Sequence, residues 1–340
     1  MISILIIYTG GTIGMVESED QKTLVPFNLE HILSHVPELK KLDVILEAHS
    51  FDKPIDSSDI QPHHWTELGT IISSRYGDFD GFVILHGSDT LAYTASALSY
   101  MLNGLSKPVI LTGSQLPIGM IRTDARENLI TAVQIASQQI NDEPVVQEVA
   151  VYFEDHLYRG NRVKKLSTEA FEAFFSPNYP VLAQAGVNIN FDYPELLPKT
   201  ELPFRLIDGF DNRVVTLTLF PGISEALVKT ILSNTQVRGL ILLTFGAGNG
   251  PSALWFIDML TKAIDRGLVV INITQCAMGQ VEQGKYETST GLLQAGVISG
   301  GDMTMEAAIT KLMFLLGQSE DSTWVKEQMV TNIRGELSTN

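Results

Sequence analysis

The chain has 340 residues, 44% of them apolar, and 23 Lys and Arg against 39 Asp and Glu give it a formal charge of −16. That length suits two domains with sizeable cores, and that charge argues against a nucleic-acid or anionic-membrane surface, which needs clustered Lys and Arg. The single cysteine, Cys276, excludes an intrachain disulfide framework.

The first element is the apolar run ISILIIY at 2–8. No basic segment precedes it, and it is too short for a signal peptide or a membrane span, so a cytoplasmic protein with no membrane partner is expected. Further apolar runs follow as GFVILH at 81–86, PVILTG at 108–113 and EVAVYF at 148–153. Apolar on both faces, these runs suit parallel strands with helices on each side. Between them, DTLAYTASALSYML places Leu91, Ala95, Leu98 and Met101 on one helical face. Asp124 with Glu127 three residues on reads as a capping box opening a helix that runs to about Ser137.

Residues 191–204 carry Pro194, Pro198 and Pro203 with no helical period, and read as a linker. Strand patterns resume with VVTLTLF at 214–220, GLILLTFG at 239–246 and LVVINITQ at 268–275. Cys276 follows the last of these and is expected to be a buried, inert thiol. The alternation predicts two α/β domains: a larger N-terminal open, mostly parallel sheet with helices on both faces, and a smaller C-terminal α/β domain. The boundaries expected are 1–190 and 211–340, joined by a linker over 191–210.

Ligands of open α/β sheets bind beyond the carboxyl ends of the strands. Past the first strand stands TGGTIG, Thr9 to Gly14; past the next, HGSDT, His86 to Thr90; past the third, TGSQLP, Thr112 to Pro117. Together they predict a cleft rich in hydroxyls and backbone N–H groups. A nucleotide reading fails, because only Gly11-x-x-Gly14 fits part of G-x-G-x-x-G and no G-x-x-x-x-G-K-[ST] occurs. The acidic VESEDQK that follows reads as a mobile loop, whereas a phosphate site wants a helix N-terminus there. The seven histidines are scattered without H-E-x-x-H or Cys/His spacing, His63 and His64 reading as solvated helix residues, and G-x-S-x-G is absent. No metal and no cofactor are expected.

Flanked by glycines, Thr12 has an approachable hydroxyl and nearby N–H groups for an oxyanion. Thr9 and Thr12 could equally well only hydrogen-bond the turn. Ser88 and Asp89 precede a helix and read either as its N-cap or as a hydroxyl and an ammonium partner beside a lysine.

TGGTIG, HGSDT and TGSQ, with RGNRVKK at 159–165 and the C-terminal NIRGEL, resemble the bacterial cytosolic (type I) L-asparaginases over essentially the whole chain. The resemblance implies an amidohydrolase that converts L-asparagine to L-aspartate and ammonia. It implies Thr12 as nucleophile through an acyl-enzyme, and a second catalytic group of Ser88, Asp89 and Lys165. It places the substrate on Gly11, Asp56, Ser57, Ser58, Ser88 and Asp89, with Asp89 suited to the α-ammonium and Ser57 to the α-carboxylate. A homo-oligomer, dimer or tetramer, is implied, each site completed by a neighbour's C-terminal domain.

Four departures stand out. The family usually has threonine where this chain has Ser88, and commonly threonine where it has Lys164. Some type I members bind a second asparagine through an arginine in the segment matching LILLTFG, where this chain offers Leu243. Many members also carry a tyrosine on the loop after TGGTIG; here VESEDQKTLVPFN has none. Tyr286, in GKYETSTG, is the substitute candidate, given to a neighbour's site, with a solvated loop tyrosine as the alternative. Two rival readings are the asparaginase-like subunit of a tRNA-dependent transamidase, which has an additional N-terminal domain, and a non-catalytic amino-acid sensor. The chain's start at the catalytic strand and its acidity argue against the first, the retention of Thr12, Asp89 and Lys165 against the second.

Overall fold

The computed structural model describes residues 1–17, 22–24, 29–284 and 287–338. The chain divides into two compact units, Met1–Ile207 and Asp208–Asn340.

The first unit is built on an eight-stranded sheet. Its strands are β1 (Ile2–Gly10), β2 (Val44–Ile55), β3 (Gly81–Leu85), β4 (Val109–Thr112), β5 (Val149–Phe153), β6 (His156–Arg159), β7 (Ala183–Ala185) and β8 (Ile189–Phe191). They lie in the order β8-β7-β6-β5-β4-β3-β1-β2. The five strands β1 to β5 are mutually parallel, and β6 to β8 add antiparallel hairpins at one edge. Helices α1 (Pro62–Arg75), α2 (Leu91–Met101) and α3 (Ala125–Ser137) connect the strands.

The central strands are buried on both faces because their apolar residues do not alternate with polar ones. On one face Ile4, Ile6, Val83, Leu85 and Ile110 pack with Leu129, Ala132 and Val133 of α3. The intervening Leu5, Ile7, Phe82 and Ile84 are equally buried, and α2 lies against β4 and β5. Each such aliphatic side chain contributes about 1.5–3 kcal/mol on burial. β2 has no counterpart among the expected strands. It is an edge strand whose first residues, 44–48, alternate between half-buried and exposed, and Glu47, Asp52 and Lys53 interrupt any apolar run.

Two local expectations are corrected. Helix α3 spans the residues expected, but Asp124 does not cap it. Its backbone is already helical, and its carboxylate accepts the N–H groups of Gln115 at 2.8 Å and Leu116 at 3.1 Å. The short loop after β4 has several N–H groups that no strand or helix can satisfy, so Asp124 serves that loop. Cys276 is exposed, since the strand before it ends at Thr274 and the chain turns there, the Cys276 N–H bonding Thr274 Oγ1 at 3.0 Å.

Residues 189–206 are tied to the first unit at several points. β8 pairs with β7, and Arg205–Leu206 pairs antiparallel with Leu102–Asn103. The buried Arg159–Glu148 ion pair, 2.7 Å long, extends to this segment: Glu148 accepts the Leu197 N–H at 2.8 Å and Arg159 donates to the Glu195 carbonyl at 2.6 Å.

The second unit holds four parallel strands, Val214–Thr218, Gly239–Thr244, Val269–Thr274 and Ile298–Ser299, in sequential order. Leu217, Leu240, Leu242 and Val270 pack there with Phe256 and Leu260 of the helix Leu254–Asp265. Its C-terminal residues are fastened by an ion pair 2.6 Å long between Lys311 and Glu336, both 0% exposed. Lys311 also donates to the carbonyls of Met329 and Thr331, and Glu336 accepts the N–H groups of Ile333 and Arg334. Burial pushes the Lys311 pKa down and Glu336 opposes that shift. Among the described residues no helix is long and apolar enough to cross a membrane.

Candidate active site

The strand order 2-1-3-4-5 of the parallel segment reverses between β1 and β3, and ligands of such sheets bind outside the carboxyl ends of the strands at that switch point. TGGTIG and HGSDT are the loops after these two strands. They approach without side chains between them: Gly11, at φ +88°, could not carry a Cβ without placing it 2.5 Å from the Cα of Gly87. A Cβ on Gly87 would in turn lie 2.6 Å from Ser57 Oγ in the loop after β2. Glycine at 11 and 87 is therefore what brings three strand ends together.

The two threonines of the first loop separate in role. Thr9 is buried and donates to the Leu85 carbonyl at 3.1 Å, tying β1 to β3. Thr12 opens a single 3₁₀ turn, Thr12–Gly14, and is half-buried. Tyr8 is packed below: its hydroxyl donates to the Gly11 carbonyl at 3.4 Å, burial pushes its pKa up, and Gly14 has no room for a Cβ against its ring.

On the second loop neither Ser88 nor Asp89 caps α2. The residue at the N-cap is Thr90, whose hydroxyl instead donates to the Ser57 carbonyl at 2.6 Å. Ser88 and Asp89 turn to Lys165, whose ammonium donates to Ser88 Oγ at 2.9 Å and to Asp89 Oδ1 at 2.6 Å. Lys165 is 18% exposed and Asp89 62%, so the carboxylate stands at the solvent side of the pair. Lys164–Lys165 forms a short antiparallel pairing with Phe174–Phe175, which holds the lysine 76 residues downstream of Asp89 against it.

The loop after β2 supplies Asp56, Ser57 and Ser58. Asp56 caps the 3₁₀ turn Ser57–Asp59, accepting both the N–H and the hydroxyl of Ser58 at 2.9 Å. Asp56 and Ser58 are exposed, whereas Ser57 is 4% exposed, its side chain against Gly87. Gly11, Ser57, Ser88, Asp89 and Lys165 are thus linked through direct contacts, with Thr12 next to Gly11. Tyr286 lies outside the described residues. Leu243 is half-buried within Gly239–Thr244, paired with Thr218.

Sequence reasoning passed over the groups that support these loops. Thr90 joins the second loop to the loop after β2, and Asp124 with Asn128 holds the loop after β4, Asn128 donating to the Gly113 carbonyl at 3.0 Å. His86 is buried, with Gly87 and Thr94 on its two ring nitrogens. A capping residue and a helical threonine carry no signal of such roles in their spacing. Among the described residues no three His, Cys, Asp or Glu side chains converge to hold a metal.

A family model described as "Asparaginase, N-terminal" matches residues 3–196, and one described as "Glutaminase/Asparaginase C-terminal domain" matches residues 213–329. L-asparaginase 1 of Escherichia coli (strain K12) is 42% identical over 337 residues, covering 99% of this chain and 98% of that one. Among solved structures, L-asparaginase I from Vibrio cholerae O1 biovar eltor str. N16961 superimposes with a TM-score of 0.90 at 40% identity, covering 99% of each chain. The thermostable L-asparaginase from Thermococcus kodakarensis superimposes with a TM-score of 0.91 at 32% identity, covering 100% of each.

Proposed function

The chain belongs to the asparaginase family and is an L-asparaginase, an amidohydrolase acting on L-asparagine, and from that premise we propose how its own residues carry the reaction. Thr12 Oγ attacks the side-chain carbonyl carbon of asparagine. The C–N bond breaks, the amide nitrogen leaves as ammonia with a transferred proton, and a β-aspartyl ester remains on Thr12. Water then attacks the ester, and aspartate departs as the Thr12 hydroxyl is restored.

The observation that carries this reading is the contact of Lys165 with both Ser88 and Asp89, on the loop whose Gly87 packs against Gly11, the neighbour of Thr12. A lysine, a hydroxyl and a carboxylate in one chain can pass a proton to and from the reacting group. Asp89 keeps acceptor capacity beyond the single bond from Lys165, which suits it to the α-ammonium of the substrate. Ser57, with the N–H groups of Gly11 and its neighbours, takes the α-carboxylate, and Asp56 with Ser58 completes the substrate-holding segment. Ser57 is buried, so it contributes by shaping the floor of the site as much as by its hydroxyl.

We assign the protein to the cytoplasm and to a homo-oligomer in which a neighbouring subunit completes each site. Phe220, Phe245 and Met278, exposed past strand ends of the second unit, supply apolar surface for such a contact.

The test is ammonia release from L-asparagine by purified wild type and Thr12→Ala. The wild type should turn over and Thr12→Ala should lose activity by at least about 1000-fold with an unchanged melting temperature. Full turnover by Thr12→Ala would remove the nucleophile assignment; binding of asparagine by the wild type without ammonia release would make the protein a sensor.

A further inference from the structure

His86 follows β3, one residue before Gly87, and is 1% exposed. Its Nδ1 lies 2.7 Å from the Gly87 carbonyl oxygen. A carbonyl can only accept, so Nδ1 carries a proton. Burial pushes the imidazole pKa down to about 4, with Gly87 opposing and His64 adding to the shift, so the ring is neutral near pH 7. Nε2 is then an acceptor, and Thr94 Oγ1, 3.0 Å away, donates to it. The Thr94 oxygen in turn accepts the Trp65 indole N–H at 3.1 Å. Every direction is fixed: Trp65 of α1 donates to Thr94 of α2, Thr94 to His86, and His86 to Gly87.

The end of this chain matters because of what Gly87 is. A peptide beside glycine can rotate between alternative orientations at little cost, since no Cβ opposes it. The Gly87 carbonyl and the Ser88 N–H belong to one planar trans peptide, so holding the carbonyl toward the buried ring also fixes the start of Ser88. Ser88 is the residue that Lys165 contacts, and Gly87 is the residue against which Gly11 rests.

We propose that Trp65, Thr94 and His86 form a positioning relay that locks the Gly87–Ser88 peptide and so holds the Ser88 hydroxyl within reach of Lys165. His86 touches neither substrate nor reacting atoms, and its effect passes through the backbone of Gly87. The proposal rests on the assignment of Ser88 and Lys165 to the catalytic machinery.

Four variants test it, with kcat and KM for L-asparagine and the melting temperature measured for each. Misplacement of a catalytic group by about 1 Å costs on the order of 100-fold, so His86→Leu should lower kcat by about that factor while KM moves less than about threefold. His86→Asn keeps an N–H near the place of Nδ1 and should recover at least about tenfold of that loss. Thr94→Val removes one hydroxyl at nearly constant shape, and should lower kcat by about tenfold in folded protein, which keeps the test valid should His86→Leu fail to fold. A residue that merely filled the core would lower the melting temperature in the Leu and Asn variants alike and leave kcat per folded enzyme unchanged. Wild-type kcat in Thr94→Val, or a His86→Asn enzyme as slow as His86→Leu, overturns the relay. Lys165→Met distinguishes the two levels: if it keeps wild-type turnover, the assignment of the catalytic group itself has failed.

Discussion

Gly11 and Gly87 meet backbone to backbone across the switch point between β1 and β3, so that a Cβ on Gly11 would sit 2.5 Å from the Gly87 Cα. Neither partner is a side chain that could swing aside. Gly11→Ala adds a clash with main chain to the strain of a left-handed φ, itself about 1–3 kcal/mol. The variant should lose asparagine turnover by more than about 100-fold and melt at a lower temperature. Wild-type kinetics in Gly11→Ala would mean that the two loops can separate without harm to the site.

Asp89 and Lys165 share an ion pair, yet their expected roles differ. Asp89→Asn should chiefly raise KM, through the α-ammonium, and Lys165→Met should chiefly lower kcat. Matching profiles from the two variants would dissolve that division of labour. Ser88→Thr restores the residue usual in the family and should keep turnover within about threefold, since the added methyl only narrows the choice of rotamer. A larger loss would show a pocket adapted to serine.

Thr12 needs a proton acceptor, and Tyr8 cannot be it, with its hydroxyl buried and engaged by Gly11. Tyr286, outside the described residues, is the assigned candidate. Tyr286→Phe should lower kcat by about 100-fold with little change in melting temperature, and activity should fall on dilution to concentrations where oligomers dissociate. Full activity in the phenylalanine variant would leave water as the acceptor.

A pH dependence of stability comes from the second unit. Burial raises the Asp211 pKa, but the side chain and N–H of Arg213 and the guanidinium of Arg238 outweigh it and bring it to about 2. A depressed carboxylate pKa stabilises the fold above the ordinary value of about 4, and the contribution is lost as pH falls toward about 2. Asp211→Asn should therefore melt below the wild type at pH 6, with the gap closing between pH 4 and pH 2. A gap that stays constant over that interval would place the stabilisation elsewhere.

Strands β1, β3, β4 and β5 were legible because burial on both faces demands unbroken apolar runs. β2 was not, because an edge strand answers to water on one side and mixes Glu47, Asp52 and Lys53 into its length. The glycine loops announced a site, yet Lys165 was visible only through the family motif, as nothing local tells it from Lys164. Asp124 shows the limit of spacing rules: D-x-x-E before an apolar run matches a cap, and the orphaned N–H groups of a loop nine residues earlier claimed the carboxylate. Trp65 and Thr94 left no trace in sequence, since the indole N–H meets the hydroxyl oxygen that accepts it only once two helices are packed.

The Lys311–Glu336 pair sets how far the protein can be shortened. A truncation that removes Glu336 leaves an ammonium at 0% exposure with no countercharge, a loss of about 3–5 kcal/mol that a surface deletion would not incur. For anyone trimming this enzyme for crystallisation or fusing a partner behind it, the cut belongs after Ser338, whose N–H and hydroxyl both bond Asp302. The last helix cannot serve as the end of the chain, because the residues beyond it neutralise the charge in the helix before.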